Sequence, residues 1–273
     1  MKKFIEGPFG VLLTPFNGSK VDEKTFVKQI ERINDSKISG YVVNGSTSEF
    51  VQLSLEEQKK IAKLTAEYSA SDKKIVISSC TGNISDTYEL CKNAADIGAF
   101  AVLICPPYYF KYTAKEREEY FTKIADISPL PVILYNIPFF TQELELDVIY
   151  RLFEHKNIIG IKDSSANMKR LEHMVEVTKE SKVSILTGTD DILLPALCGG
   201  CAGSMTALAA IMPEKICAIY DAVKKGDLKK AMECQFEILP TTRKADSLTF
   251  PVGYKKLMEE VSGLKFADKE VEL

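Results

Sequence analysis

The chain has 273 residues, no tryptophan and two histidines, His155 and His173. So few imidazoles leave little from which to build a metal centre, and neither histidine lies in a strand-end motif. An excess of positive charge is also missing. Lys and Arg number 35 against 38 Asp and Glu, a formal net charge of −3, so no basic surface points to nucleic acid or to an anionic membrane. No apolar run approaches the roughly 18–20 residues that span a bilayer. The opening "MKKFIEGPFGVLLTPF" carries two lysines, but Glu6, Gly7 and Pro8 interrupt any signal-peptide core, and a cytoplasmic location is expected. No "GxGxxG" follows an early strand, which weighs against an open doubly wound sheet with a dinucleotide. The seven cysteines sit mostly in apolar stretches such as "VISSC" and "VLICPP", the pattern of buried free thiols in a reducing compartment. "CGGC" at Cys198–Cys201 has redox or zinc spacing, but without a second pair it makes no metal site.

What is present is ordinary globular material, 45% hydrophobic and 27% charged. Apolar, β-branched runs alternate with helical stretches. The strands are expected at 9–14, 40–44, 74–79, 100–105, 131–135, 158–162, 183–187 and 201–206, the last diluted by Gly and Ser. Ser54 with Glu57 and Thr113 with Glu116 form capping boxes, followed by the apolar faces Ile61, Leu64, Tyr68 and Tyr120, Phe121, Ile124. Eight strand-then-helix units predict an α/β fold, a closed (β/α)8 TIM barrel over residues 1–225. Residues 226–273 read as additional C-terminal helices packed on it.

In such barrels chemistry sits at the carboxyl ends of the strands. Those ends collect the unusual residues here: "NGSTSE" (44–49), "PPYY" (106–109), "YNIP" (135–138), "IIGIK" (158–162) and "TGTDD" (187–191). Lys162 ends an apolar strand, although lysine is rarely buried unless it is paired or used. Strict alternation puts Ile158, Gly160 and Lys162 on one face and Asp163 on the other, so a Lys162–Asp163 salt bridge is awkward and Gly160 leaves space beside the lysine. A low-dielectric pocket lowers a lysine pKa from about 10.4, and the free amine attacks ketones to form a Schiff base. A strand-end lysine paired with a distant carboxylate is the competing reading. Tyr135 is either an amphipathic plug or a proton relay. "NGSTSE" is either a cradle for a small carboxylate or a simple turn.

Taken together, "NGSTSE", "PPYY", "YNIP" and "GIKDSS", in this order and at these intervals, resemble the dihydrodipicolinate synthase/N-acetylneuraminate lyase family along essentially the whole chain. The resemblance implies a class I, metal-independent enzyme that needs no cofactor beyond the covalent imine of a lysine with pyruvate or a 2-keto acid. It implies Lys162 as that lysine, Tyr135 as acid/base, and Ser46 and Thr47 as the hydroxyl pair holding the pyruvyl carboxylate. Tyr109 matches a tyrosine that reaches into a neighbouring subunit's site, implying a homo-oligomer, dimer or tetramer. Met205 matches the position whose carbonyl lies near the lysine. Two departures stand out: Ser48 replaces the usual Gly, and Phe140 stands where members that make dihydrodipicolinate carry an arginine for the aldehyde's carboxylate. Asp190 and Asp191 resemble the acidic pair of sialic acid lyases, and "VVNGST" resembles 2-keto-3-deoxy sugar acid aldolases. The resulting expectation is an aldolase cleaving a compound such as 2-keto-3-deoxygluconate to pyruvate and an aldehyde, with Thr141, Thr187 and Asp190 addressing sugar hydroxyls. The alternatives are sialic acid cleavage, a dihydrodipicolinate synthase-like reaction, dehydration of a deoxy sugar acid, or a barrel that only binds a keto acid.

Overall fold

A computed structural model describes residues 2–270. Eight parallel strands close into a barrel: β1 (Gly7–Val11), β2 (Gly40–Val43), β3 (Lys74–Ser78), β4 (Ala101–Ile104), β5 (Val132–Asn136), β6 (Ile158–Asp163), β7 (Ser184–Thr187) and β8 (Gly203–Thr206). Each pairs with its sequence neighbours and β8 returns to β1, with Phe9 opposite Met205. The TIM barrel expected from the sequence is the fold observed, including its diluted eighth strand. A short antiparallel hairpin at 16–21, not foreseen, follows β1.

Helices fill the connections: α1 (Glu23–Asn34), α2 (Leu55–Tyr68), α3 (Ile84–Asp96), α4 (Ala114–Ile127), α5 (Leu146–Leu152), α6 (Met168–Thr178) and α7 (Leu193–Cys198). Local sequence fixes where they begin. Ser54 Oγ accepts from the Glu57 N–H at 3.2 Å while Glu57 Oε2 accepts from the Ser54 N–H at 2.8 Å, and Thr113 with Glu116 repeats the exchange. The buried stripe of α2 runs through Gln58, Ile61, Ala62 and Thr65, leaving Tyr68 exposed, so the expected Ile61–Leu64–Tyr68 face is rotated by part of a turn.

Apolar residues fall into layers. Side chains such as Phe9, Val42, Leu103, Ile133, Leu186 and Met205 fill the barrel, and a second layer, including Phe26, Ile61, Phe121 and Ile161, lies between strands and helices. Both faces of each strand are thus covered, which explains the continuous apolar runs. The chain then adds α8 (Leu208–Ile211), α9 (Pro213–Lys224), α10 (Leu228–Asp246) and α11 (Val252–Ser262). Leu208, Ile219, Ile238 and Met258 join Leu193 in a third apolar cluster, which holds α10 and α11 against the β7–β8 side.

One local irregularity matters for the site. Val132 pairs with Ile158, but Ile133 pairs with Gly160, a β-bulge at Ile159. Ile158 and Ile161 therefore face the helices while Ile159 points into the barrel. The expectation that Ile158 shares a face with Lys162 fails, because the bulge breaks strict alternation. Gly160 leaves no space beside the lysine either, since a Cβ there would lie 2.5 Å from the Ser184 carbonyl oxygen of β7.

Candidate active site

The end of β6 places Lys162 inside the barrel mouth, 4% exposed, with its Nζ 4.2 Å from the centre of the Tyr135 ring on β5. Tyr135 and Lys162 are direct partners across the β5–β6 ladder. Among the described residues no carboxylate comes within ion-pair distance of Lys162, so the competing reading of a strand-end lysine held by a distant acid has no partner here. Asp163, on the opposite face and fully buried, is occupied elsewhere. Its Oδ2 accepts from Asn136 Nδ2 at 2.8 Å and Arg170 Nε at 2.9 Å, and its Oδ1 accepts from the Ser165 N–H at 2.9 Å. Arg170 also donates to the Leu144 carbonyl, and Asn136 Oδ1 accepts from the Leu144 N–H at 3.0 Å. This network clamps the ends of β5 and β6 from outside, and those are the strands that carry Tyr135 and Lys162 inward.

Gly188 makes the room that had been assigned to Gly160. A Cβ there would lie 3.0 Å from Lys162 Cε and 2.0 Å from Ser164 Oγ. No local signal marks it, because the contact is between loops on neighbouring strands.

The turn after β2 starts with Asn44 in the left-handed region (φ 57°), makes one tight helical turn over Ser46–Ser48 and leaves through Glu49, also left-handed (φ 58°). Ser48 does not loosen it. Its hydroxyl donates to the Leu12 carbonyl and accepts from the Gly45 N–H at 3.2 Å, tying the turn to β1. Ser46 Oγ lies 3.4 Å from Tyr135 Oη. Glu49 forms a buried ion pair with Lys255 of α11, which also meets Asp268 at 3.0 Å. Burial pushes the Glu49 carboxyl up, against the pull of Lys255.

A cavity of about 520 Å³ opens above Lys162. Thr47, Tyr135, Asp190 and Met205 line it together with the lysine, so the fold gathers five of the expected residues on one space. A side cavity of about 270 Å³ takes Ser46 and Thr141 and shares Tyr135, Ile137, Phe140 and Phe250 with the first. One expectation is corrected. Thr187 is buried and does not line either space, because Leu186 is the inward residue of β7 and alternation turns Thr187 away; Thr189 lines the cavity instead. Tyr109 is 92% exposed with φ 79°, packs its ring on Phe110 and stays outside the pocket of its own chain, as a residue expected to serve a neighbouring subunit would, while Tyr108 lines the side cavity. Sequence reading missed the residues from the C-terminal helices, Thr242, Asp246, Phe250 and Tyr254. Phe140 packs on Phe250 with ring centres 5.3 Å apart, and Phe250 on Tyr254 at 5.9 Å.

The loop after β7 carries the strongest electrostatic feature. Asp190 is 5% exposed and its pKa rises from 3.8 to about 7. Burial is the main cause, Asp246 and Asp191 add to it, and the nearby Thr206 hydroxyl and Leu208 N–H offset part of it. The described residues contain no cluster of three or more His, Cys, Asp and Glu side chains able to hold a metal ion. Cys201 of "CGGC" is buried, Cys198 is exposed, and both are free thiols.

A parallel (β/α)8 barrel with an unpaired lysine against a tyrosine at the strand ends has the layout of the barrel enzymes that use a strand-end amine as nucleophile. The sequence profile of the Dihydrodipicolinate synthetase family matches residues 5–268. A 4-hydroxy-tetrahydrodipicolinate synthase of Methanothrix thermoacetophila is 33% identical over 251 residues, 91% of this chain and 84% of that protein. The structure of the 4-hydroxy-tetrahydrodipicolinate synthase from Methylacidiphilum fumariolicum SolV superposes with a TM-score of 0.91 at 30% identity, covering 98% of this chain and 89% of that one. CdNal from Clostridium difficile, solved in complex with mannosamine, gives 0.87 at 26% identity, covering 97% and 94%. The chain belongs to the dihydrodipicolinate synthetase family and is a carbon–carbon lyase of that aldolase superfamily. Enzymes of this family act through a covalent Schiff base between a lysine and pyruvate, with no external cofactor.

Proposed function

We propose that this enzyme is a pyruvate-dependent class I aldolase for a 2-keto-3-deoxy sugar acid such as 2-keto-3-deoxygluconate, with Lys162 forming the imine. The Lys162 amine attacks the C2 ketone and water leaves. The protonated imine accepts the electron pair of the breaking C3–C4 bond while Tyr135 takes the C4 hydroxyl proton, releasing an aldehyde and leaving an enamine, whose C3 then takes a proton back from Tyr135 to give the pyruvyl imine. Hydrolysis of the pyruvyl imine then frees the lysine. Thr47 and the turn amides suit the pyruvyl carboxylate, and Ser46, 3.4 Å from Tyr135, extends the hydroxyl relay. Asp190 and Thr189 line the cavity and suit sugar hydroxyls.

The observation that carries the sugar-acid reading is Phe140. It sits on Phe250, so no guanidinium stands there to receive a carboxylate on the aldehyde. The names of the relatives favour a second reading, 4-hydroxy-tetrahydrodipicolinate synthesis on the same imine, and the likeness to CdNal, solved with mannosamine, favours a lyase whose aldehyde is an amino sugar, as in N-acetylneuraminate cleavage. Exposed Tyr109 and Phe110 suit a contact with a second copy in a dimer or tetramer. Among the described residues no helix is long and apolar enough to cross a membrane, in keeping with a cytoplasmic enzyme.

Incubation with pyruvate and borohydride is expected to leave a pyruvyl adduct on Lys162, read by peptide mass spectrometry; an unmodified Lys162 refutes the imine step. A panel of 2-keto-3-deoxygluconate, N-acetylneuraminate and pyruvate with aspartate semialdehyde then separates the reactions. Release of pyruvate from the first alone is expected, and consumption of pyruvate with the semialdehyde alone refutes the sugar-acid assignment.

A further inference from the structure

The far wall of the cavity has a charge pattern that imine formation does not require. Asp190 and Asp191 stand on the loop after β7, and Asp246, the last residue of α10, lines the same space with Tyr254 of α11. None of the three carboxylates belongs to an ion pair among the described residues, and Lys162 is the only cation among the described residues lining the cavity. Asp190 Oδ1 and Thr206 Oγ1 are buried without a well-formed hydrogen bond, although Thr206 lies near enough to Asp190 to ease its burial in part. Tyr254 donates to Asp246 Oδ1 at 2.6 Å, which fixes that carboxylate and leaves its second oxygen open to a ligand. Beside them Phe140, Phe250 and Tyr254 make an aromatic wall.

Unmatched buried acceptors are costly and call for donors. Hydroxyl groups supply donors without adding charge, and the C–H faces of a polyol suit an aromatic wall. A second carboxylate in the same place meets like charge and no cation. We propose that Asp246 and Tyr254, on the C-terminal helix pair, are specificity-determining residues for the tail of the acceptor aldehyde, selecting a neutral polyhydroxylated tail and excluding an anionic one. This rests on the Lys162 imine reading and deepens it.

The test compares erythrose with succinic semialdehyde, four-carbon aldehydes that differ in hydroxyls and charge, as acceptors for pyruvate, with borohydride trapping of pyruvate run alongside. The wild-type enzyme is expected to prefer erythrose in kcat/KM. D246N and Y254F are expected to lower kcat/KM for erythrose about tenfold, the scale of one lost charge-assisted hydrogen bond. D246R is expected to move the erythrose-to-semialdehyde ratio at least about tenfold toward the semialdehyde. Trapping at Lys162 is expected unchanged in all three, which also reports that they are folded. A ratio unmoved in every variant with trapping intact, a wild-type preference for succinic semialdehyde, or no turnover of erythrose overturns the assignment while sparing the imine. Failure of trapping in the wild type removes the imine reading and this assignment with it.

Discussion

Replacing Asp190 by asparagine keeps the shape of the side chain and removes its titration. The folded protein holds this carboxyl at about 7, against an ordinary value of 3.8. Between those values the folded chain binds a proton that the unfolded chain has lost, so the contribution of Asp190 to stability is greatest in acid and declines as pH rises through 7. At about 1.4 kcal/mol per pH unit, the full decline is about 4 kcal/mol, of which about 3 kcal/mol falls between pH 5 and pH 8.5. Urea unfolding of wild type and D190N at those two pH values reads it, at one fixed protein concentration because any oligomer's stability depends on concentration. The stability of D190N relative to wild type is expected to rise by about 3 kcal/mol from pH 5 to pH 8.5. The difference between the two proteins cancels every other titrating group that the substitution leaves alone. A difference that stays constant to within about 0.5 kcal/mol would show that Asp190 ionises as an ordinary carboxylate, and that burial does not govern this loop.

Asp163→Ala leaves Arg170, 7% exposed, with only the more distant and half-exposed Glu143, 3.7 Å away; a loss of about 3 kcal/mol is expected in denaturant unfolding, and a loss below about 1 kcal/mol refutes the clamp. Gly188→Ala puts a methyl 3.0 Å from Lys162 Cε and 2.0 Å from Ser164 Oγ. Borohydride trapping of pyruvate is expected to slow at least about tenfold, the scale of a misplaced reacting group, and an unchanged trapping rate refutes the claim that this glycine makes room for the lysine.

The barrel was legible because its signals are local and repeated: eight apolar runs, capping boxes at Ser54 and Thr113, and odd residues gathered at strand ends. Lys162 and Tyr135 stood out for the same reason, each being a polar group at the end of a buried strand. Misreadings arose where a local rule met a tertiary exception. Counting by twos through β6 fails at the Ile159 bulge, which is fixed by pairing with β5 and not by the β6 sequence. Thr187 looked like a pocket residue because it ends a strand, yet the phase of β7 turns it away from the mouth. Asp246, Phe250 and Tyr254 lie more than 80 residues beyond Lys162 in sequence and reach its cavity only through the packing of α10 and α11 on α7–α9, which no window of sequence reports.

That division bears on how far a relative's activity transfers. The groups around Lys162 are braced from outside by Asp163, Asn136 and Arg170, which span β5, β6 and α6 and do not touch the far wall. The far wall is built by the loop after β7, by Phe140 and by two helices whose own core, around Ile238 and Met258, is separate from the barrel interior. Substitutions in the wall are therefore expected to change which aldehyde is held without loosening the lysine, and effects at such separate sites are expected to add. Shared imine chemistry at 33% identity is thus compatible with a different acceptor, since a pocket discriminates by the charges and hydrogen-bond partners it presents to the substrate tail, and the far wall here presents carboxylates where an anionic aldehyde needs a cation.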